Sequence, residues 1–200
     1  MAKNVAILLF DEVEVLDFAG PFEVFAVTGG DHDGDKPFRV YTVAEEARPI
    51  RARNGLSVNP AYMLADCPQP DIIVVPGGFG SRAAKERPAV LAWVRGHFER
   101  GELTLSVCTG SLILGRAGVL DGLAATTHWT TFDLLAENAP QTEIRRQVRF
   151  VDNGQVVTSA GISAGIDMSL HIVARLLGIE TARETAREME YEWQHADAEA

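Results

Sequence analysis

The sequence predicts an α/β domain whose mostly parallel sheet is covered by helices on both faces. Three observations carry that prediction. Short, wholly apolar runs such as Val5–Phe10, Ile72–Val75 and Leu103–Val107 have the length and continuity of strands buried on both sides. Segments of helical composition alternate with them, the order that builds parallel sheets through crossover connections. The chain is 200 residues long and contains no Pro- or Ser-rich linker and no internal repeat, so a single domain over residues 1–200 is expected.

The elements follow in order. Val5–Phe10 is the first strand, and Gly20-Pro21 introduces a helix over Phe22–Val27. Phe38–Val43 is a second strand. Leu56–Met63 is ambiguous between strand and loop, with Pro60 limiting it. Ile72–Val75 ends at Pro76-Gly77-Gly78, and Ala89–Glu99 reads as an amphipathic helix with Leu91, Val94 and Phe98 on one face. Leu103–Val107 is the next buried strand and runs into a helix over Thr109–Arg116. Ala124–Thr127 reads as a short strand and Trp129–Ala136 as a helix. Val148–Val151 and Val156–Ser159 flank Asp152-Asn153-Gly154, a strong hairpin signal. Gly165–Leu177 places Ile166, Leu170, Val173 and Leu177 on one stripe, and Ile179–Trp193 forms a last helix.

Composition narrows the function. At 46% hydrophobic and 23% charged the chain is ordinary globular material, not a disordered one. Eighteen basic against 28 acidic residues give a net charge of −10. No cluster of Lys and Arg forms the stripe that phosphate-backbone binding needs, and Arg145, Arg146 and Arg149 read as a solvated segment, so no nucleic acid partner is expected. No apolar run approaches the ~20 residues of a membrane span, and no secretory signal is visible, so a cytoplasmic protein is expected. Cys67 and Cys108 are too few for a disulfide scaffold. The acidic run Asp31-His32-Asp33-Gly34-Asp35 does not match a calcium loop and reads as a solvated turn, so no metal is expected.

Chemistry concentrates at strand ends. Leu103–Val107 leads directly into Cys108, and Thr109-Gly110-Ser111 opens a helix, the layout of a nucleophile elbow. Such a turn projects its side chain from the carboxyl edge of the sheet, where open α/β sheets bind ligands. A helix N-terminus is also expected to lower the pKa of the thiol. Cys67, ahead of a strand, reads as structural. After the first strand, Asp17 and Glu14 supply carboxylates that could approach Cys108, although Asp17 equally suits a helix cap. Gly77 and Gly78 can aim backbone N–H groups into a site. Gly78-Phe79-Gly80-Ser81-Arg82-Ala83 also fits a loose dinucleotide fingerprint, but no acidic residue follows at the required distance. His128 is the best-placed histidine, as catalyst or as cap, and Ile162 in a glycine-rich run could line a pocket.

These segments, in this order and over roughly residues 5–190, resemble the ThiJ/PfpI superfamily. Leu16-Asp17-Phe18-Ala19-Gly20-Pro21, Val75-Pro76-Gly77-Gly78, Ser106-Val107-Cys108-Thr109-Gly110-Ser111, Ala125-Thr126-Thr127-His128-Trp129 and Gly161–Asp167 resemble its isocyanide (isonitrile) hydratase branch. The resemblance implies a flavodoxin-like three-layer sandwich of the class I glutamine amidotransferase-like type. It implies a covalent thioimidate on Cys108, a proton shuttle at Asp17, and a Thr109 hydroxyl that holds Asp17 or water. Gly77, Gly78, His128, Trp129 and Ile162 are then the substrate contacts, with an apolar wall suited to an uncharged small-molecule substrate. No cofactor is implied, and a homodimer is.

Departures from the wider superfamily matter as well. Thr109 stands where peptidase and amidotransferase members place a histidine, and His171 sits in an apolar helix without an evident acid partner. Asp17 stands where glyoxalase and deglycase members use a glutamate, with Glu14 and Glu23 as alternatives. A stand-alone ligand or redox sensor, related to the N-terminal domain of AraC-type regulators, and a glyoxalase- or deglycase-like enzyme are the competing functions.

Overall fold

The computed structural model describes residues 2–30 and 36–193; the acidic run Asp31–Asp35 lies outside the described residues. Chain order gives β1 (Lys3–Leu8), α1 (Val15–Val27), β2 (Phe38–Ala44), β3 (Tyr62–Met63), β4 (Ile72–Val75), α2 (Ser81–Ala84) and α3 (Pro88–Arg100). There follow β5 (Leu103–Val107), α4 (Gly110–Arg116), α5 (Phe132–Asn138), β6 (Phe150–Asp152), β7 (Val156–Ser159), α6 (Ala164–Leu177) and α7 (Ile179–Glu188). The strands form one sheet in the order β6-β7-β5-β4-β1-β2-β3, parallel except where β6 returns antiparallel on β7. Two small ribbons lie outside it, Ile50–Arg51 with Ser57–Val58 and Ala124–Ala125 with Glu143–Ile144.

The apolar strands explain the three layers. Side chains alternate across a strand, so Val5, Ile7, Ile72, Val74, Leu103 and Leu105 face α1, α6 and α7. Ala6, Leu8, Ile73 and Val75 point the other way, onto α3, α4 and α5. Both faces are covered, which is why these strands carry no polar alternation. The result is the flavodoxin-like arrangement that the resemblance implies. Its strand order reverses between β1 and β4, the switch point beyond whose carboxyl ends ligands bind in such sheets. No helix among the described residues is long and apolar enough to cross a membrane.

Several element boundaries differ from expectation, each for a local reason. The first helix begins at Val15, not Phe22, and Pro21 lies inside it. Proline removes one intrahelical hydrogen bond but its fixed φ is helical, so the helix runs through where packing compensates. Leu56–Met63 divides around Pro60 into the outer half of a ribbon and the edge strand β3. In α3 the buried stripe is Val90, Val94 and His97, while Leu91 and Phe98 are partly buried. His97 is accommodated because its Nε2 bonds the Leu103 carbonyl at 2.9 Å. The segment after His128 is a 3-10 turn, Trp129–Thr131, before α5. The last helix stops at Glu188, two residues before Glu190 adopts a positive φ.

One close approach fixes the geometry around the switch point. A Cβ on Gly110 would lie 2.0 Å from the Val75 carbonyl oxygen, so α4 can start against the end of β4 only with glycine there. Gly110→Ala is therefore expected to destabilise the fold by about 1–3 kcal/mol, the usual cost of overpacking. A urea midpoint unchanged from wild type would show that the two backbones are not held together this tightly.

Candidate active site

The site grows from the end of β5. The backbone leaves Val107 and turns sharply, with Cys108 at φ +56°, a left-handed conformation that costs a non-glycine residue roughly 1–2 kcal/mol. Hydrogen bonds on both sides of the peptide hold the turn. The Cys108 N–H donates to the Ser159 and Ala160 carbonyls, both at 3.1 Å. The Cys108 carbonyl accepts from Ser111 Oγ at 3.1 Å and Thr127 Oγ1 at 3.0 Å. The strained elbow expected from the sequence is present, with its thiol at the base of a cleft and 6% exposed.

Asp17 lies beneath that thiol. Because α1 begins at Val15, Asp17 belongs to its first turn and points inward, fully buried. Its Oδ2 accepts the Gly77 N–H at 3.1 Å and its Oδ1 accepts the Ile162 N–H at 3.2 Å. The Cys108 thiol interacts with the same carboxyl, and each group shifts the other's protonation. The capping alternative falls away, since Glu14 occupies the N-cap and caps nothing with its side chain. Gly77 must be glycine: a Cβ there would stand 2.5 Å from the Thr109 nitrogen and 2.9 Å from Asp17 Oδ2. Ile162 also has a positive φ, +56°, strain rarely accepted by a β-branched residue; it aims the N–H at Asp17 and leaves the side chain 40% exposed over the cleft.

Burial controls the protonation of this pair. It pushes the Asp17 carboxyl up to about 7, against the lowering effect of the Gly77 N–H. It pushes the Cys108 thiol up to about 12, and the negative Asp17 adds to the rise. The expected lowering by a helix N-terminus is therefore reversed. The Thr109 backbone N–H and hydroxyl do favour the thiolate, but they are outweighed. Below about 7 both groups are protonated, and above it Asp17 is ionised beside a thiol that keeps its proton.

The remaining predicted residues are distributed as follows. Thr109 Oγ1 accepts from the Gly78 N–H and Ser81 Oγ and lies 3.0 Å from the Gly78 carbonyl, so its hydroxyl is tied to the glycine loop and does not hold Asp17. The Gly78 N–H is thereby already used. His128 lines the cleft, but its Nδ1 is engaged by Thr130 Oγ1 at 2.8 Å. Trp129 is 75% exposed and lies outside the residues lining the cleft. Glu14 lines the mouth beside Arg53, whereas Glu23 is exposed elsewhere on α1. His171 does have an acid partner, Asp152 at 2.7 Å, but that pair joins Arg175 on α6 and does not line the cleft. A Cβ on Gly80 would meet the Asp11 carbonyl oxygen at 1.8 Å, so this glycine serves backbone packing and not a phosphate cradle. Cys67 is half-buried near Trp93, apart from the site.

Sequence reasoning missed Arg53, which arrives from the turn between the two strands of the outer ribbon and carries no periodic or motif signal. Ser81 and Arg82 come from the short helix α2; the sequence placed them in the glycine-rich fingerprint and in a wall-forming segment, Ser81–Pro88, without a role for either side chain.

Comparison with known proteins agrees with this fold. The profile of the DJ-1/PfpI family matches residues 3–175. The chain is 37% identical over 191 residues to the isonitrile hydratase of Pseudomonas putida, covering 96% of this chain and 79% of that protein. It is 32% identical over 183 residues to the HTH-type transcriptional regulator CdhR of Pseudomonas aeruginosa, covering 91% of this chain but about half (53%) of the regulator. Among solved structures, a ThiJ/PfpI family protein from Pseudomonas syringae superposes with a TM-score of 0.86 at 30% identity, over 100% of this chain and 80% of that one. Drosophila melanogaster DJ-1beta shares the fold, with a TM-score of 0.83 at 23% identity, over 96% of this chain and 100% of that one. With a buried carboxyl set against an elbow cysteine at the sheet's switch point, the chain belongs to the DJ-1/PfpI family, on the side of its isonitrile hydratase relatives.

Proposed function

We propose that this protein adds water to isocyanides, releasing N-substituted formamides, with Cys108 as nucleophile and Asp17 as proton shuttle. One observation carries the proposal: a single carboxyl, buried and held by the Gly77 and Ile162 N–H groups, interacts with the elbow thiol. The terminal carbon of an isocyanide takes both a nucleophile and a proton on the same atom. A site that sets one thiol and one carboxyl against a single point suits that demand, and the similarity to an isonitrile hydratase agrees with it.

The chemistry balances without a further reactant. Asp17 carboxylate accepts the Cys108 proton as sulfur bonds the terminal carbon, and passes that proton to the same carbon, giving Cys–S–CH=N–R. Water then adds to the carbon; Asp17 takes a proton from it and delivers it to nitrogen. The C–S bond breaks, the hydroxyl proton returns through Asp17 to sulfur, and R–NH–CHO leaves. The high thiol pKa keeps sulfur protonated at rest, so it becomes nucleophilic only as Asp17 accepts its proton. Ile162 closes one side of the cleft. Thr109, tied to Gly78 and Ser81, acts through position, keeping its backbone N–H on the sulfur.

The direct test is formamide production from para-nitrophenyl isocyanide. Cys108→Ala is expected to abolish turnover with the fold intact, and Asp17→Asn to slow it by a factor on the order of 10²–10⁴. Folded wild-type protein without turnover would remove the hydratase reading and favour a ligand or redox sensor. The pH profile supplies a second check. The shuttle needs Asp17 ionised beside a protonated thiol, a state populated only as pH rises through about 7. Activity is expected to climb about tenfold per pH unit below that point and then level off. A rate that falls through pH 7 would mean that the protonated carboxyl is the active form.

A further inference from the structure

We infer that the preferred substrate carries an anionic group, in the simplest case a carboxylate, seated between Arg53 and Arg82 at the mouth of the Cys108 cleft; this rests on the hydratase reading above and gives its substrate class. The cleft has Cys108 at its base and Ile162, Phe79 and the two arginines around it, with Glu14 as the single carboxylate among its lining residues. Glu14 and Glu12 both lie within 4 Å of Arg53, so Arg82, with no carboxylate on it among the described residues, is the group that leaves the rim cationic. An unneutralised charge at the mouth of a cleft draws ligands of the opposite sign.

The arginines also have unspent capacity. Arg82 makes no ion pair with any described residue, and its guanidinium lies 5.2 Å from the centre of the exposed Phe79 ring. Arg53 is only loosely engaged, at 3.8 Å from Glu14 and 3.9 Å from Glu12. Arg48, Arg87 and Arg149 show the contrast: Arg48 pairs with Asp11 and Glu46, Arg87 with Glu45 and Glu46, and Arg149 with Asp167. A guanidinium presents several N–H donors in a planar fork that a carboxylate matches. Of the apolar wall expected from the sequence, Ile162 lines the cleft, and the same lining carries the two arginines. A small isocyanide with its reactive carbon on Cys108 and its nitrogen substituent directed outward would bring a carboxylate to that rim.

The test compares isocyanoacetate with its methyl ester, which differ in charge but not in reacting group. Wild type is expected to favour the acid in kcat/KM, and Arg82→Gln to lower the acid-to-ester ratio roughly tenfold or more, the worth of a hydrogen bond to a charged group. Raising the ionic strength should erode the same ratio. Equal handling of acid and ester, or a ratio untouched by Arg82→Gln, would overturn the inference while leaving the hydratase reading intact. If neither compound turns over, the hydratase reading fails, and the cationic seat is judged by alkylation instead. Anionic iodoacetate should then modify Cys108 faster, relative to neutral iodoacetamide, in wild type than in Arg82→Gln, as followed on the Cys108 peptide by mass spectrometry. Identical ratios in the two proteins would reject the seat.

Discussion

The pairing of the buried Asp17 carboxyl with the Cys108 thiol is the constraint around which the carboxyl edge of the sheet is arranged. Four separate pieces of chain meet there. The first turn of α1 supplies Asp17, the loop after β4 supplies the Gly77 N–H, the elbow after β5 supplies the thiol, and the segment before α6 supplies the Ile162 N–H. Each piece bears a cost that makes sense only at this junction. Cys108 and Ile162 both accept left-handed backbone, Gly77 gives up its side chain, and a carboxyl is taken out of water. Strain gathered on residues that touch one another marks a functional site better than any one of them alone.

The electrostatic cost is the largest. Moving the Asp17 carboxyl from its ordinary value of 3.8 up to about 7 corresponds to a penalty on the charged form on the order of 4 kcal/mol. The sign is the reverse of a salt-bridged aspartate. The folded state binds this proton more tightly than the unfolded chain, so its contribution to stability is full below the ordinary carboxyl range and is lost as pH rises through about 7. Two backbone donors moderate the penalty without removing it. The protein thus retains a group that is close to balanced between its two protonation states at neutral pH, as a proton shuttle requires. Asp152 shows the contrasting solution in the same chain: despite its burial, hydrogen bonds from His171 and the Gly154 N–H and the ion pair with Arg175 hold it down at about 2.

Much of this was legible in the sequence because it follows from local rules. Continuous apolar runs announced the buried strands, Asp152-Asn153-Gly154 announced the hairpin between β6 and β7, and Val107-Cys108-Thr109-Gly110 announced the elbow. What stayed hidden depends on tertiary contacts. Pro21 reads as a helix start, yet α1 runs through it, and that shift changes Asp17 from a cap into a buried inward-facing group. The thiol's pKa was misread because a helix start is visible in sequence while the burial that outweighs it is not. Thr109's preference for Gly78 and Ser81, His171's partner 19 residues away, and the arrival of Arg53 and Arg82 at the cleft are all contacts between segments that no periodicity connects.

The protonation of Asp17 is the quantity on which the account turns, and infrared difference spectroscopy reads it directly. The protonated-carboxyl stretch present in wild type and absent in Asp17→Asn should persist well above the ordinary carboxyl range and disappear with a midpoint near pH 7. A band already lost around pH 4 would place an ordinary carboxylate beneath Cys108, and the proton-shuttle account of this site would be wrong.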